Sequence, residues 1–191
     1  MDNSAPTPWS VEIASCAGSF ASGDVSALGR LFDLCAPRLL RYAQTLTRSL
    51  EDAEDAVQAG IIRIARNPQS LSAVRHPWAY LLRTVRNEAL RLLARKRPAA
   101  SLVVELTGAG LGHDAVATAE TTAEIRAALS RLPAEQAEVV VLKIWEGLTF
   151  QEIATVTGES LNTVASRYRY ALTKLETSLR RVAWEVGYVV D

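Results

Sequence analysis

The sequence predicts an all-α protein, built as two small helical domains joined by a flexible linker. Three observations carry that prediction. Apolar residues recur at steps of three and four over long stretches, which places them on one face of a helix. Alternating β-branched runs are scarce, and only three Phe occur in 191 residues, leaving little material for a sheet. Between residues 98 and 120 the periodicity stops, and Ala, Gly and other small residues surround a short apolar patch, Leu102-Val103-Val104. The expected division is a first domain at 10–97, a linker at 98–120 and a second domain at 121–186. A flexible linker of that length spans roughly 25 Å on average and about 75 Å when extended, enough to hold two domains apart on a large partner.

The elements follow in order. Residues 1–9, with two prolines, are expected to be loose. Ser10 can cap a helix from Val11 to Ser22, and Gly23-Asp24 breaks it, with Asp24 capping the next. Val25, Leu28, Leu31, Phe32 and Leu34 form a stripe that Leu39, Leu40, Ala43 and Leu46 continue. Pro37 is expected to kink this helix or start a new segment, because it removes a main-chain donor. Ser49 precedes Asp52 at capping-box spacing. The helix that follows has acids at its start (Glu51, Asp52, Glu54, Asp55) and Arg63 and Arg66 at its end, matching the helix dipole. Ala53, Val57, Ile61 and Ile64 form its inner face. Its acids are ordinary capping chemistry on one reading, and an acidic and amide patch for a basic protein partner on the other.

Residues 67–77 read as a loop holding Arg75 and His76. A long helix from Trp78 to Arg97 then buries Leu81, Val85, Ala89 and Leu92. It also carries Trp78, Tyr80, Arg83, Arg86, Asn87 and Arg91. Rings interleaved with guanidiniums suit single-stranded nucleic acid, because rings stack on bases while cations follow the backbone. Core or rim packing of the rings, with solvated arginines, is the alternative.

In the second domain Thr121-Thr122-Ala123-Glu124 opens a helix, and Pro133 opens another that Gly147 stops. Thr149 and Glu152 fit a capping box for a short helix with Phe150, Ile153 and Ala154 inward. Gly158 supplies a left-handed turn and Ser160 caps the last helix. This is a helix-turn-helix layout. Leu161, Val164, Tyr168, Ala171, Leu175 and Leu179 make one apolar stripe of that helix. Asn162, Thr163, Ser166, Arg167, Arg169, Tyr170, Thr173 and Lys174 lie off it, a set suited to phosphates and base edges in a major groove. An amphipathic helix with a solvated basic face is the plainer reading.

Composition narrows the function. Lys plus Arg equals Asp plus Glu at 21 each, so the chain does not coat nucleic acid nonspecifically. Residues 20–97 nevertheless carry 13 basic and 7 acidic groups, a net of +6, and residues 120–191 carry 8 and 10, a net of −2. Cys16 and Cys35 sit in apolar contexts and read as buried thiols. No Ser-His-Asp set, metal-ligand cluster or phosphate-cradling glycine loop points to an enzyme, and neither cofactor nor metal is expected. No apolar run is long enough to span a bilayer and no signal peptide is evident, so a cytoplasmic chain is expected.

Taken together the motifs resemble the extracytoplasmic-function (ECF) sigma factors, the dissociable promoter-recognition subunits of the sigma-70 family of bacterial RNA polymerase. The family's region 2 resembles residues 31–97, through Asp52-Ala53-Glu54-Asp55-Ala56-Val57-Gln58 and through Tyr80-Leu81-Leu82-Arg83-Thr84-Val85-Arg86-Asn87. Region 4 resembles residues 123–181, through Leu132-Pro133-Ala134-Glu135-Gln136-Ala137-Glu138-Val139, through Glu146 to Ala154, and through Thr163-Val164-Ala165-Ser166-Arg167. The resemblance implies that Asp52, Glu54, Asp55 and Gln58 bind the clamp helices of core RNA polymerase. It implies that Arg75, His76, Trp78, Tyr80, Arg83, Arg86, Asn87 and Arg91 open and hold the −10 element as single strand. It also implies that Asn162, Thr163, Ser166, Arg167, Arg169, Tyr170 and Lys174 read the −35 element of promoter DNA as duplex. The apolar groove of the second domain would take the polymerase flap tip, and an anti-sigma factor commonly holds such proteins off. Ala165 stands where a lysine or arginine is usual, Ala59 where an acid is frequent, and Pro77 where an aromatic is common. A stand-alone helix-turn-helix regulator binding duplex DNA is the competing reading, but it has no use for the first motif set. An adaptor that binds protein without reading DNA is a third, supported only by Ala165.

Overall fold

A computed structural model describes residues 8–96 and 119–185. Every regular element among them is helical. The order is α1 (Pro8–Ala21), α2 (Ser26–Thr47), α3 (Leu50–Arg66), α4 (Gln69–Ser72), α5 (Pro77–Lys96), α6 (Ala119–Ser130), α7 (Ala134–Val140), a π-helical turn (Val141–Trp145), α8 (Phe150–Thr157) and α9 (Leu161–Glu185). The all-α expectation holds. The linker expectation and the loose N-terminus fall mainly on residues 97–118 and 1–7, outside the described residues.

Local chemistry explains the boundaries. Asp24 Oδ1 accepts from the Ser26 amide at 3.0 Å and starts α2. The Ser49 hydroxyl accepts from the Asp52 amide at 3.3 Å and starts α3. The reciprocal half of that capping box is not made, because the Asp52 carboxylate turns to Lys96 and the Ser49 amide donates to Thr47 Oγ1. Pro37 neither kinks nor restarts α2, which runs through it from Ser26 to Thr47. Pro37 lies on the exposed side, while Leu31, Cys35, Leu39 and Tyr42 are fully buried on the other. Packing of that continuous face outweighs one lost main-chain bond, whose carbonyl can turn to water. Residues 67–77 are not all loop, since α4 forms one short turn around the buried Leu71. Cys35 is buried as expected, but Cys16 is only half-buried.

Helices α1 to α5 form one bundle and α6 to α9 a second, and the two pack together. One apolar core runs from Ile13, Leu31, Tyr42 and Leu81 across to Val139, Leu142, Leu148 and Ile153. A smaller cluster of Leu132, Ala137, Val140 and Ala171 closes the second bundle. The domains are therefore side by side here, whatever distance the linker permits. In the first bundle α3 crosses close against α5, where Gly60 leaves room for Val85: a Cβ at Gly60 would stand 2.9 Å from Val85 Cγ2.

Candidate nucleic-acid interface

The helix-turn-helix is built as the residues dictate. Thr149 and Glu152 form the full capping box: Thr149 Oγ1 accepts from the Glu152 amide at 3.2 Å, and Glu152 Oε2 accepts from the Thr149 amide at 2.7 Å. Gly158 ends α8 with φ 76°, a left-handed conformation that costs glycine nothing. Ser160 Oγ accepts from the Thr163 amide at 3.1 Å and starts α9. Phe150 and Tyr168 meet edge to face with ring centroids 5.4 Å apart, fixing α8 against α9. Val164 and Ala171 are buried as the stripe requires, but Leu161, at the start of α9, is 47% exposed.

Outward from that seat, Asn162, Arg169, Tyr170 and Lys174 are exposed, and Thr163, Ser166 and Arg167 are half-buried. The Arg169 guanidinium lies 5.7 Å from the Tyr170 ring centroid. Arg167 pairs with Glu159 at 3.0 Å, Lys174 Nζ donates to Gln136 Oε1 at 3.0 Å, and Thr163 Oγ1 lies 2.8 Å from Ser160 Oγ. A guanidinium held by a surface carboxylate is readily surrendered, since an exposed pair is worth about 0–1 kcal/mol.

The helix of rings and arginines divides in two. Arg83, Asn87 and Arg91 on α5 are exposed, Tyr80 is half-buried, and Arg75 and His76 are exposed on the preceding loop. Arg91 pairs with Glu88 on its own helix at 2.7 Å. Trp78, in contrast, is 4% exposed and packs edge-on against Trp9 with centroids 5.3 Å apart. Arg86 is turned inward, with Nε donating to Glu138 Oε1 at 2.7 Å. These two positions are not available to a strand in this arrangement. His76 Nδ1 lies 3.0 Å from Glu152 Oε1 of α8, so even the loop touches the second domain.

On α3, Glu54, Asp55 and Gln58 are exposed together on one face, as a protein-binding patch requires. Asp52 is not part of that patch. It is 6% exposed and covered by the ammonium of Lys96. Helical spacing explains the difference, because position 52 shares the buried side with Ala53, Ala56 and Val57.

The seam between the domains is polar at its centre, and its residues escape a sequence reading. Arg38 on α2 donates from Nε to Glu146 Oε2 at 3.0 Å, donates again to the Trp145 carbonyl, and stacks over Trp9 with 4.0 Å to the ring centroid. The Tyr42 hydroxyl donates to Glu138 Oε1 at 2.7 Å, so Glu138 receives both Tyr42 and Arg86. Burial, with Glu138 adjoining, pushes the Tyr42 phenol well above its usual range. Burial also works against the Arg86 charge, but the bond and attraction from Glu138 outweigh it and the guanidinium is held more firmly charged. Glu146 is raised by its burial, against the pull of Arg38 and Arg41. A cleft of roughly 630 Å³ opens beside the seam between Trp9, Arg75, His76, Trp78, Gln151 and Glu152. Among the described residues no group of His, Cys, Asp and Glu is arranged to hold a metal.

Comparison with known proteins accounts for both halves. Residues 31–98 match the model of sigma-70 region 2 and residues 122–175 that of sigma-70 region 4. The chain is 31% identical to the ECF RNA polymerase sigma factor SigM of Mycobacterium tuberculosis over 81% of this chain and 78% of that one. The chain belongs to the ECF sigma factors of the sigma-70 family. It is likewise 30% identical to SigL of Mycobacterium tuberculosis, over 85% of this chain and 94% of the relative. The fold is that of the sigma factor RpoE of Bartonella quintana, solved with the anti-sigma factor NepR, with TM-score 0.67, 23% identity, and coverage of 82% of this chain and 98% of that one. It is also that of CnrH, solved with the cytosolic domain of CnrY, with TM-score 0.63, 23% identity, and coverage of 89% and 98%. This sigma factor is thus a transcription initiation factor and not an enzyme. No helix among its described residues is long and apolar enough to cross a membrane.

Proposed function

We propose that this sigma factor binds core RNA polymerase through α3, captures the melted −10 element on α5, and reads the −35 element as duplex with α9. The observation that carries the reading is a spatial one. Three chemically distinct faces stand on three helices: exposed acids and an amide at Glu54, Asp55 and Gln58, exposed Arg83, Asn87 and Arg91 beside the half-buried ring of Tyr80, and a donor-rich helix with Asn162, Arg169 and Tyr170 exposed and Ser166 half-buried. Each suits a different partner: protein, unstacked bases, and base edges in a major groove. Arg75 and His76, exposed just before α5, would guide the non-paired strand toward it. Arg167 joins the duplex face on leaving Glu159, and Thr163 and Lys174 add phosphate contacts. Trp78 and Arg86 join the single-strand face only when the second domain moves away. Asp52 holds Lys96 and the start of α3 rather than touching polymerase. The structural relatives solved with anti-sigma factors support an anti-sigma factor as the natural brake here too, and a cytoplasmic site of action follows from the proposed partner.

The test is transcription by purified core polymerase, with and without the protein, on a library of genomic promoter fragments at moderate salt. Discrete new start sites sharing −10 and −35 sequences are the expected result. Core binding without any start site would overturn promoter recognition, and a shift of duplex DNA by the protein alone, with no core binding, would return the stand-alone regulator.

A further inference from the structure

We infer that the seam-facing side of the first domain is itself a single-strand-binding surface, made by Arg38, Arg41 and Arg86 around Trp9 and Trp78, and that Glu138 and Glu146 of the second domain cover it as stand-ins for backbone phosphates. The inference rests on the proposed −10 reading and extends it to residues outside the exposed face of α5.

The chemistry of the seam carries it. Two guanidiniums pair with two buried carboxylates, Arg86 with Glu138 and Arg38 with Glu146, and Arg41 adds to the favourable field at Glu146. Two indole rings lie among them, Trp9 under the Arg38 guanidinium at 4.0 Å and Trp78 with the same group 5.9 Å from its centroid. With the second domain removed, this leaves cations and π-faces side by side, the combination that binds an unpaired strand in a sequence-tolerant way. Trp78 also faces Glu146 and helps to favour its charge. Trp78 Nε1 and Glu146 Oε1 are both buried without a hydrogen bond of normal geometry. A salt bridge that only joined two domains has no need of a guanidinium laid over an indole ring, and the same groups on a surface for nucleic acid do. The proposal also explains why Arg86 and Trp78, which sequence pattern groups with Arg83 and Asn87, face the other way: they belong to the covered half of one larger surface.

Because the covering groups and the ligand compete for the same cations, the closed arrangement is self-inhibiting. A strand reaching the exposed face of α5 gains the rest of the surface only by displacing Glu138 and Glu146.

The experiment uses the full chain, a fluorescein-labelled mixed-sequence 24-nucleotide single strand, and no polymerase. Glu138→Ala with Glu146→Ala is expected to enlarge the radius of gyration in small-angle X-ray scattering and to tighten oligonucleotide binding at least tenfold. The salt dependence should steepen by roughly 1.4 in log K against log[salt], two phosphates at about 0.7 each. Arg38→Ala with Arg86→Ala is expected to open the chain equally without the gain in affinity. Opening without tighter binding in the glutamate variant overturns the proposal. So does an equal gain in the arginine variant, or a glutamate variant that stays compact. Should the glutamate variant lose its helical circular dichroism, amide exchange of the wild type decides. Saturating oligonucleotide should speed exchange at Glu146 and Leu148, whose amides bond across the π-turn, and unchanged exchange overturns the proposal. Since no polymerase is present, a chain that starts no transcripts can still pass this test, and a working sigma factor can fail it.

Discussion

Gly60→Ala is the sharpest test of how the first domain is held together. In an isolated helix the change should help, since alanine is favoured over glycine by about 1 kcal/mol. Here the added Cβ stands 2.9 Å from Val85 Cγ2 and 3.5 Å from Val85 Cα. Carbon atoms pack at roughly 3.5–4.0 Å, so the methyl contact is short by about 0.6–1.1 Å. Val85 is fully buried and β-branched, so its rotamer has little freedom to turn away. Overpacking of that kind costs about 1–3 kcal/mol, leaving a net loss of about 1 kcal/mol after the helix gain. For a chain of this size that lowers Tm by about 2–4 °C.

Val85→Ala removes the offending methyl and opens a cavity, at a cost of about 2–3 kcal/mol. In that background the Cβ added at position 60 meets the Cα and N of position 85 at 3.5 and 3.7 Å, ordinary contact distances, and refills part of the hole. Gly60→Ala should then stabilise by about 1 kcal/mol. The substitution changes sign between backgrounds, a coupling of about 2 kcal/mol, read by urea denaturation of the four proteins of the cycle. If Gly60→Ala raises Tm in the wild type, or if the two costs simply add, the close crossing of α3 and α5 is not what holds Gly60 in place.

Three further outcomes are expected. Arg167→Ala should weaken −35 duplex binding by about 1–3 kcal/mol and relax preference at one base pair if the guanidinium reads a base, whereas a uniform loss across sequences with a shallower salt slope would mean a phosphate contact; Glu159→Gln, which releases Arg167, should tighten binding in the same mobility-shift assay. Thr149→Ala should cost about 1 kcal/mol by removing the hydroxyl that caps α8, seen as faster amide exchange in α8 with α3 unaffected. Glu146→Gln should be at least as stable as the wild type at pH 7, because burial lifts the Glu146 carboxyl above the usual 4.5 despite Arg38 and Arg41. The folded chain therefore holds that proton more tightly than the unfolded one. The stability this proton contributes is full below about pH 4.5 and fades as pH rises through the lifted value. Urea midpoints should consequently converge on, or favour, the wild type as pH falls from 7 to 5, and a widening deficit of the wild type would refute the sign.

What the sequence made legible was whatever is decided within a turn or two of helix. The Thr149 and Glu152 box, Gly158, and the caps at Asp24, Ser49 and Ser160 each depend on groups two to four residues apart, and all form. Periodicity found the inner residues of α3 and α5, but it grouped Asp52 with its exposed acidic neighbours and left Leu161 on the wrong side of the surface. Pro37 was read by its local cost, which the buried face of α2 overrides. The seam was illegible for a plain reason. Arg38 and Glu146 are 108 positions apart, Tyr42 and Glu138 are 96, and Arg86 and Glu138 are 52, so no periodic pattern links them. Trp78 and Arg86 looked like their exposed neighbours because side-chain type does not tell which face a second domain will cover.

The uneven charge along the chain takes on a physical meaning at that seam. Residues 20–97 carry a net of +6 and residues 120–191 a net of −2. Taken separately the first suits nucleic acid and the second does not, yet the second holds the helix proposed to read duplex. The conflict disappears once the acids are located. Glu138 and Glu146 are not spread over the donor-rich face of α9; they are buried against arginines of the first domain. Removing one partner of the Arg86–Glu138 pair costs about 3–5 kcal/mol, because the other charge is left buried, whereas exchanging one anion for another need cost little. On the inference drawn from the seam, a strand supplying phosphates opens what water alone cannot.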